Sequence, residues 1–80
     1  MECMKPIQER LAATIRTRRK EIGMSQEALA AAAGVHRTYA SSIERGQVTV
    51  SIDVAERLAA ALELTLSELF LRIEKPKRGS

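Results

Sequence analysis

The segment from Met24 to Gly46, MSQEALAAAAGVHRTYASSIERG, decides how the rest of the chain is read. Ser25 is a good helix N-cap, because its hydroxyl accepts one of the backbone N–H groups that a first turn leaves unpaired. Gln26 and Glu27 follow as helix formers, and the run through Leu29, Ala30 and Ala33 stops at Gly34. A glycine there takes the left-handed conformation that closes a helix without a Cβ penalty. Val35 then turns inward and His36 occupies the next N-cap position. A further helix runs from Arg37 to Arg45, with Ala40 and Ile43 inward, and Gly46 ends it. Two helices crossing steeply through so short a turn need a small residue at closest approach, a glycine where the chain reverses, and aliphatics to lock the angle. Ala30, Gly34, Val35 and Ile43 meet those needs together.

Outside this segment the pattern stays helical. Pro6 suits a first turn, and Ile7, Leu11, Ile15 and Ile22 recur on one face before Gly23, which predicts a helix from Pro6 to Ile22. Ser51 caps a helix whose Ile52, Ala55, Leu58, Ala59 and Leu62 share a face. Thr65 with Glu68 is a capping-box pattern, opening a last helix with Leu66, Leu69, Phe70 and Ile73 as apolar positions, which Pro76 prevents from continuing. The expectation is an all-α, compact five-helix domain over residues 6–74, its paired short helices over 26–45, with flexible ends at 1–5 and 75–80. No internal repeat or low-complexity segment interrupts it.

Composition narrows the classes. Eighty residues suit one small domain that buries a modest core, and with only Tyr39 and Phe70 as aromatics that core is aliphatic. The net charge of +3 is compatible with an anionic partner, and the distribution says more. Lys5, Arg10, Arg16, Arg18, Arg19, Lys20, Arg37 and Arg45 put the positive potential on the N-terminal half, whereas Asp53, Glu56, Glu63 and Glu68 face only Arg57 further on. The single cysteine, Cys3, rules out a disulfide framework or metal cluster within one chain. No stretch approaches the ~20 apolar residues of a membrane span, and the N-terminus lacks the apolar run of a signal peptide. These features predict a soluble cytoplasmic protein with no cofactor, no membrane association and no evident small-molecule ligand.

On the stretch from Met24 to Gly46 the chain resembles the Cro and phage-repressor (Xre-type) helix-turn-helix family. The resemblance extends over about residues 7 to 71, because ALELTLSELF is similar to that family's closing helix pair. RTYASSIERG, Arg37 to Gly46, resembles the controller proteins of restriction-modification systems, which implies a dimeric regulator of its own operon. The resemblance also implies that the third helix lies in the major groove of double-stranded DNA while the second aims its N-terminus at phosphates. Arg37 then has a planar fork for guanine O6 and N7, and Thr38 offers a hydroxyl and a methyl to thymine. Ser41 and Ser42 contact a base or a phosphate. Tyr39 bonds a phosphate, packs its ring on the sugar-phosphate chain, or covers the edge of the core. Ser25 and Gln26 clamp the backbone, His36 is a substitute cap or a phosphate neighbour, and Arg45 completes the basic side of the helix. Arg16, Arg18 and Lys20 read as generic solvated cations whose attraction to DNA is independent of sequence.

Members of this family often tie the first helix to the end of the third through an ion pair, which Arg19 and Glu44 would form here as a structural link. Two departures stand out. Where many relatives carry a polar pair such as Arg-Asn after the third helix, this chain has Val48 and Thr49, so no loop arginine is available and Thr49 is the polar candidate. Glu63 stands where many members place glycine between the last two helices, at a cost of up to ~1 kcal/mol if the backbone turns left-handed. Leu66, Phe70, Leu71 and Ile73 exceed what one small core should absorb, which predicts a homodimer on a palindromic operator with recognition helices about 34 Å apart. The competing reading is an antitoxin or other protein-interaction module on the same fold. An enzyme is disfavoured, since one histidine, one cysteine and scattered carboxylates supply no nucleophile with its base.

Overall fold

The computed structural model describes residues 6–74; the expected flexible ends at 1–5 and 75–80, with Cys3 and Pro76, lie outside the described residues. Five helices follow one another: α1 (Ile7–Glu21), α2 (Gln26–Ala33), α3 (Arg37–Glu44), α4 (Ile52–Ala61) and α5 (Leu66–Glu74). No strand occurs among the described residues. Pro6 is the N-cap of α1, and Ile22 and Arg45 are C-caps rather than last helical residues, a one-residue difference from the periodic reading.

α1 starts at Pro6 without a side-chain cap, whereas the starts of α2 to α5 each have a side-chain cause. Ser25 Oγ accepts the Ala28 N–H at 3.0 Å and Ser51 Oγ the Val54 N–H at 3.1 Å. At α5 the capping box is reciprocal: Glu68 N–H donates to Thr65 Oγ1 at 3.0 Å and Thr65 N–H to Glu68 Oε1 at 2.8 Å. His36 also caps, its ring Nδ1 accepting the Thr38 N–H at 3.0 Å.

The ends of α1 to α4 share one device, in which two successive N–H groups past the helix return to carbonyls in its last turn. After α2, Gly34 N–H bonds to Ala31 C=O at 3.2 Å and Val35 N–H to Ala30 C=O at 3.0 Å, with Gly34 at φ 73°. After α4 the same bonds run from Glu63 to Ala60 at 3.0 Å and from Leu64 to Ala59 at 2.8 Å, but the left-handed residue is Glu63, at φ 64°. Its Cβ crowds the following carbonyl, which a glycine would not. Glu63→Gly is expected to stabilise the domain by about 0.5–1 kcal/mol, raising Tm by several degrees, as a thermal melt would show.

The core is aliphatic. Ile15, Leu29, Ile43, Leu58, Leu62 and Leu69 are fully buried, each contributing roughly 1.5–3 kcal/mol of transfer free energy. Buried alanines at 30, 33, 40, 55 and 59 let the helices approach closely. α2 packs on α3 and α4, α1 on α3 and α5, and α4 on α5, so the pair α2–α3 sits on a platform made by the other three. Two isoleucines read as inward are not: Ile7 and Ile52 are 57% and 70% exposed. Each is the first residue of its helix, and helical side chains lean toward the N-terminus, so both point past the end of the core that begins at Leu11 and Ala55. Ile73, expected at a dimer interface, is instead 3% exposed and belongs to the core of the single chain.

Candidate nucleic-acid interface

The surface around α3 is built on an anchor beneath it. Glu44, at the last position of α3, is 3% exposed and would be a costly buried charge without partners. Arg19 on α1 meets it with both arms of the fork, Nε to Oε2 at 2.7 Å and Nη2 to Oε1 at 3.0 Å, and its third donor bonds the Met24 carbonyl at 3.0 Å. Gln26 on α2 adds its side-chain amide to Glu44 Oε1 at 3.3 Å. Arg16 donates to the Glu44 backbone carbonyl, at the negative end of the α3 dipole. One carboxylate thus joins three helices and fixes the angle and depth of α3. Arg18 does similar work for α4, donating from Nε to the Leu62 carbonyl at 2.9 Å. Arg16 and Arg18 are therefore not the free solvated cations that their spacing suggested.

What α3 presents outward is polar. Arg37, Thr38 and Arg45 are exposed, and Ser41 and Ser42 half-buried, while Ala40 and Ile43 face inward. Arg37, Ser41 and Arg45 follow at four-residue intervals, and Arg45 bridges Ser41 Oγ at 3.1 Å and Gln47 Oε1 at 3.3 Å. With Gln26, Glu27 and Thr38 they line a shallow polar depression between α2 and α3. Tyr39 is half-buried against the core, which leaves part of its side chain for a partner. The Ser25 and His36 side chains lie exposed at the N-termini of α2 and α3, each engaged as a cap.

Two placements differ from the sequence reading. Gln26 is drawn inward by Glu44, which leaves its second amide N–H for a phosphate. Thr49 is not brought to the polar depression; it is exposed and lines an apolar groove with Ile7, Leu11, Ile52, Phe70 and Ile73 on the α1–α4–α5 side. Its neighbour Val48 packs against the core, an aliphatic use of the position where relatives carry a polar residue. Sequence reasoning also missed Glu27, read only as a helix former, whose carboxylate pairs with Arg37 across the turn. The available signal was an acid in the first turn of one short helix and a base in the first turn of the next.

A polar, cation-bearing helix held rigidly over a packed platform is the arrangement that sequence-reading motifs need. The family model described as helix-turn-helix matches residues 15–69. This chain belongs to the helix-turn-helix family. Among its curated relatives, the control protein C.MunI of Mycoplasma sp is 48% identical over 58 residues, covering 72% of this chain and 78% of that protein. Among solved structures, the restriction-modification controller protein C.AhdI from Aeromonas hydrophila superimposes with a TM-score of 0.75 at 38% identity, covering 79% of this chain and 96% of that one. C.Esp1396I bound to a 25 base pair operator site matches with a TM-score of 0.82 at 30% identity, covering 90% and 95%. No helix among the described residues is long and apolar enough to cross a membrane.

Proposed function

We propose that this helix-turn-helix regulator of transcription is a homodimer that reads a two-fold symmetric operator, as the controller of a restriction-modification operon that includes its own gene, in the cytoplasm. The observation that carries the reading is the outward row of exposed Arg37, Thr38 and Arg45 with half-buried Ser41, on a helix whose base is locked by Arg19 and Glu44. Arg37 reads guanine through its fork and Thr38 packs its methyl on thymine. Ser41 and Arg45 serve base edges or the adjoining phosphates, with Ser42 beside them. Ser25, Gln26 and His36, at the starts of α2 and α3, take phosphates on either side, and the exposed part of Tyr39 meets the sugar-phosphate chain. Thr49, lying nearer the apolar groove, contributes at most to the flank of the site.

The apolar groove is the surface for the second copy. Ile7, Ile52 and Phe70 line it at 57%, 70% and 42% exposure, with the half-buried Leu66 one turn before Phe70, and Leu71 on α5 is 58% exposed. Solvent-facing isoleucines and a phenylalanine around one groove call for a cover, and a two-fold interface places the same residues on both sides.

Selection of duplexes from a random pool at about 150 mM salt tests the reading, because at lower salt any basic protein retains DNA unspecifically. The expected outcome is a two-fold symmetric sequence with a guanine in each half-site. Arg37→Ala is expected to lose preference for that base, at about 1–3 kcal/mol per half-site. Recovery of no sequence would reduce the protein to a shared fold and favour an interaction module.

A further inference from the structure

We infer that Glu27 is a positioning residue for Arg37, a deepening of the operator-reading proposal on which it rests. The two side chains come from different helices, and Arg37 Nη1 donates to Glu27 Oε2. Both are about two-thirds exposed, at 65% and 68%, so the pair adds little to stability; an acid in the first turn of α2 suits the helix dipole, but that does not require it to pair with Arg37. Glu27 is the one acid among the residues lining the depression, where every other contributor is a cation or a neutral polar group. A carboxylate on a surface meant for phosphates weakens binding unless it gains something else.

The geometry of the guanidinium supplies the gain. With Nη1 held by Glu27, the edge formed by Nε and Nη2 remains, and these two parallel donors match guanine O6 and N7. Glu27 therefore fixes the plane in which the fork meets a base. The same carboxylate neutralises Arg37 toward isolated phosphates, which accept from any direction. Attraction to arbitrary DNA falls, while recognition of one base, which needs two acceptors in one plane, is preserved. The pair converts a general cation into a selective one.

Glu27→Ala and Glu27→Gln are to be compared with the unaltered chain on three duplexes: the selected operator, the operator with its Arg37-dependent guanines replaced, and a scrambled sequence, each across a range of salt. Both variants should bind the scrambled duplex roughly fivefold more tightly, the ceiling for an exposed pair, with a salt slope steeper by about one. The preference for the guanine operator over its replaced form should fall by a similar factor. In an Arg37→Ala background, Glu27→Ala should leave that preference unchanged, because no fork remains to orient. If Glu27→Ala raises affinity for all three duplexes by the same factor, or leaves all three unchanged, the residue does not position Arg37 and the inference is overturned. Failure of the underlying operator reading looks different, since then no selected sequence exists to compare.

Discussion

Arg19→Ala is expected to lower the unfolding free energy by about 3 kcal/mol or more while leaving the selected DNA sequence unchanged. Removing the guanidinium strands Glu44 at 3% exposure with only the Gln26 amide, at 3.3 Å, on its carboxylate. It also frees the Met24 carbonyl, where the chain leaves α1. Domains of this size hold roughly 0.05–0.15 kcal/mol per residue, so the loss is a large share of the total. Tm should fall by about 12 °C or more. A second variant separates an unpaired charge from lost packing. Arg19→Met combined with Glu44→Leu removes both charges, keeps most of the volume, and is expected to recover most of the stability. Urea unfolding of the three proteins decides it: a midpoint for Arg19→Ala equal to that of the parent means the pair does not hold α1 to α3.

The features legible in the sequence are those whose cause is local. Ser25, Ser51 and the Thr65–Glu68 box act within one turn, and Gly34 acts on its own backbone, so residue type and spacing were enough to place helix starts and ends. The inward positions of α3 were legible for the same reason, since Ala40 and Ile43 sit three apart on one short face. Periodicity names a face but not where the core stops. Ile7 and Ile52 therefore read as buried, although both overhang it, and Ile73 read as surplus although the core absorbs it. Arg16 and Arg18 were the least legible of the arginines. They reach carbonyls 28 and 44 residues away, and nothing near them in the chain announces a helix end waiting there.

Of the candidate site, the row on α3 followed from the motif, while the modifiers of that row did not. Glu27 and Gln26 lie on the preceding helix, and their partners Arg37 and Glu44 are set by how α2 crosses α3. Thr49 moved to another surface because Val48 beside it is taken up by the core, which settles the direction of the loop. Reading surface and core are thus coupled: Glu44 anchors α3 from below at the same end that carries Arg45 above.

Phe70→Glu is expected to convert the protein to a monomer and to reduce operator affinity by more than a thousandfold. Phe70 sits at 42% exposure beside Ile7 and Ile52, so part of its ring packs on the chain and the rest is offered to a partner. In a two-fold interface one substitution acts twice, placing two carboxylates in an apolar seam without counter-charges. Each costs several kcal/mol by desolvation, against which loss of the ring contacts is the smaller effect. The folded monomer should tolerate the change at a cost of about 1–2 kcal/mol, because the new side chain can turn to water where the ring could not. On DNA the penalty follows from geometry rather than from the reading helix: a monomer keeps Arg37 and Thr38 but binds one half-site, losing the second set of contacts that dimerisation holds at a fixed spacing. Sedimentation velocity and operator titration of the same preparation provide the check. A monomer that still selects half of the symmetric sequence, weakly, places the interface on the α1–α4–α5 groove. A protein that still sediments as a dimer moves the interface elsewhere and leaves Ile7, Ile52 and Phe70 for a different partner.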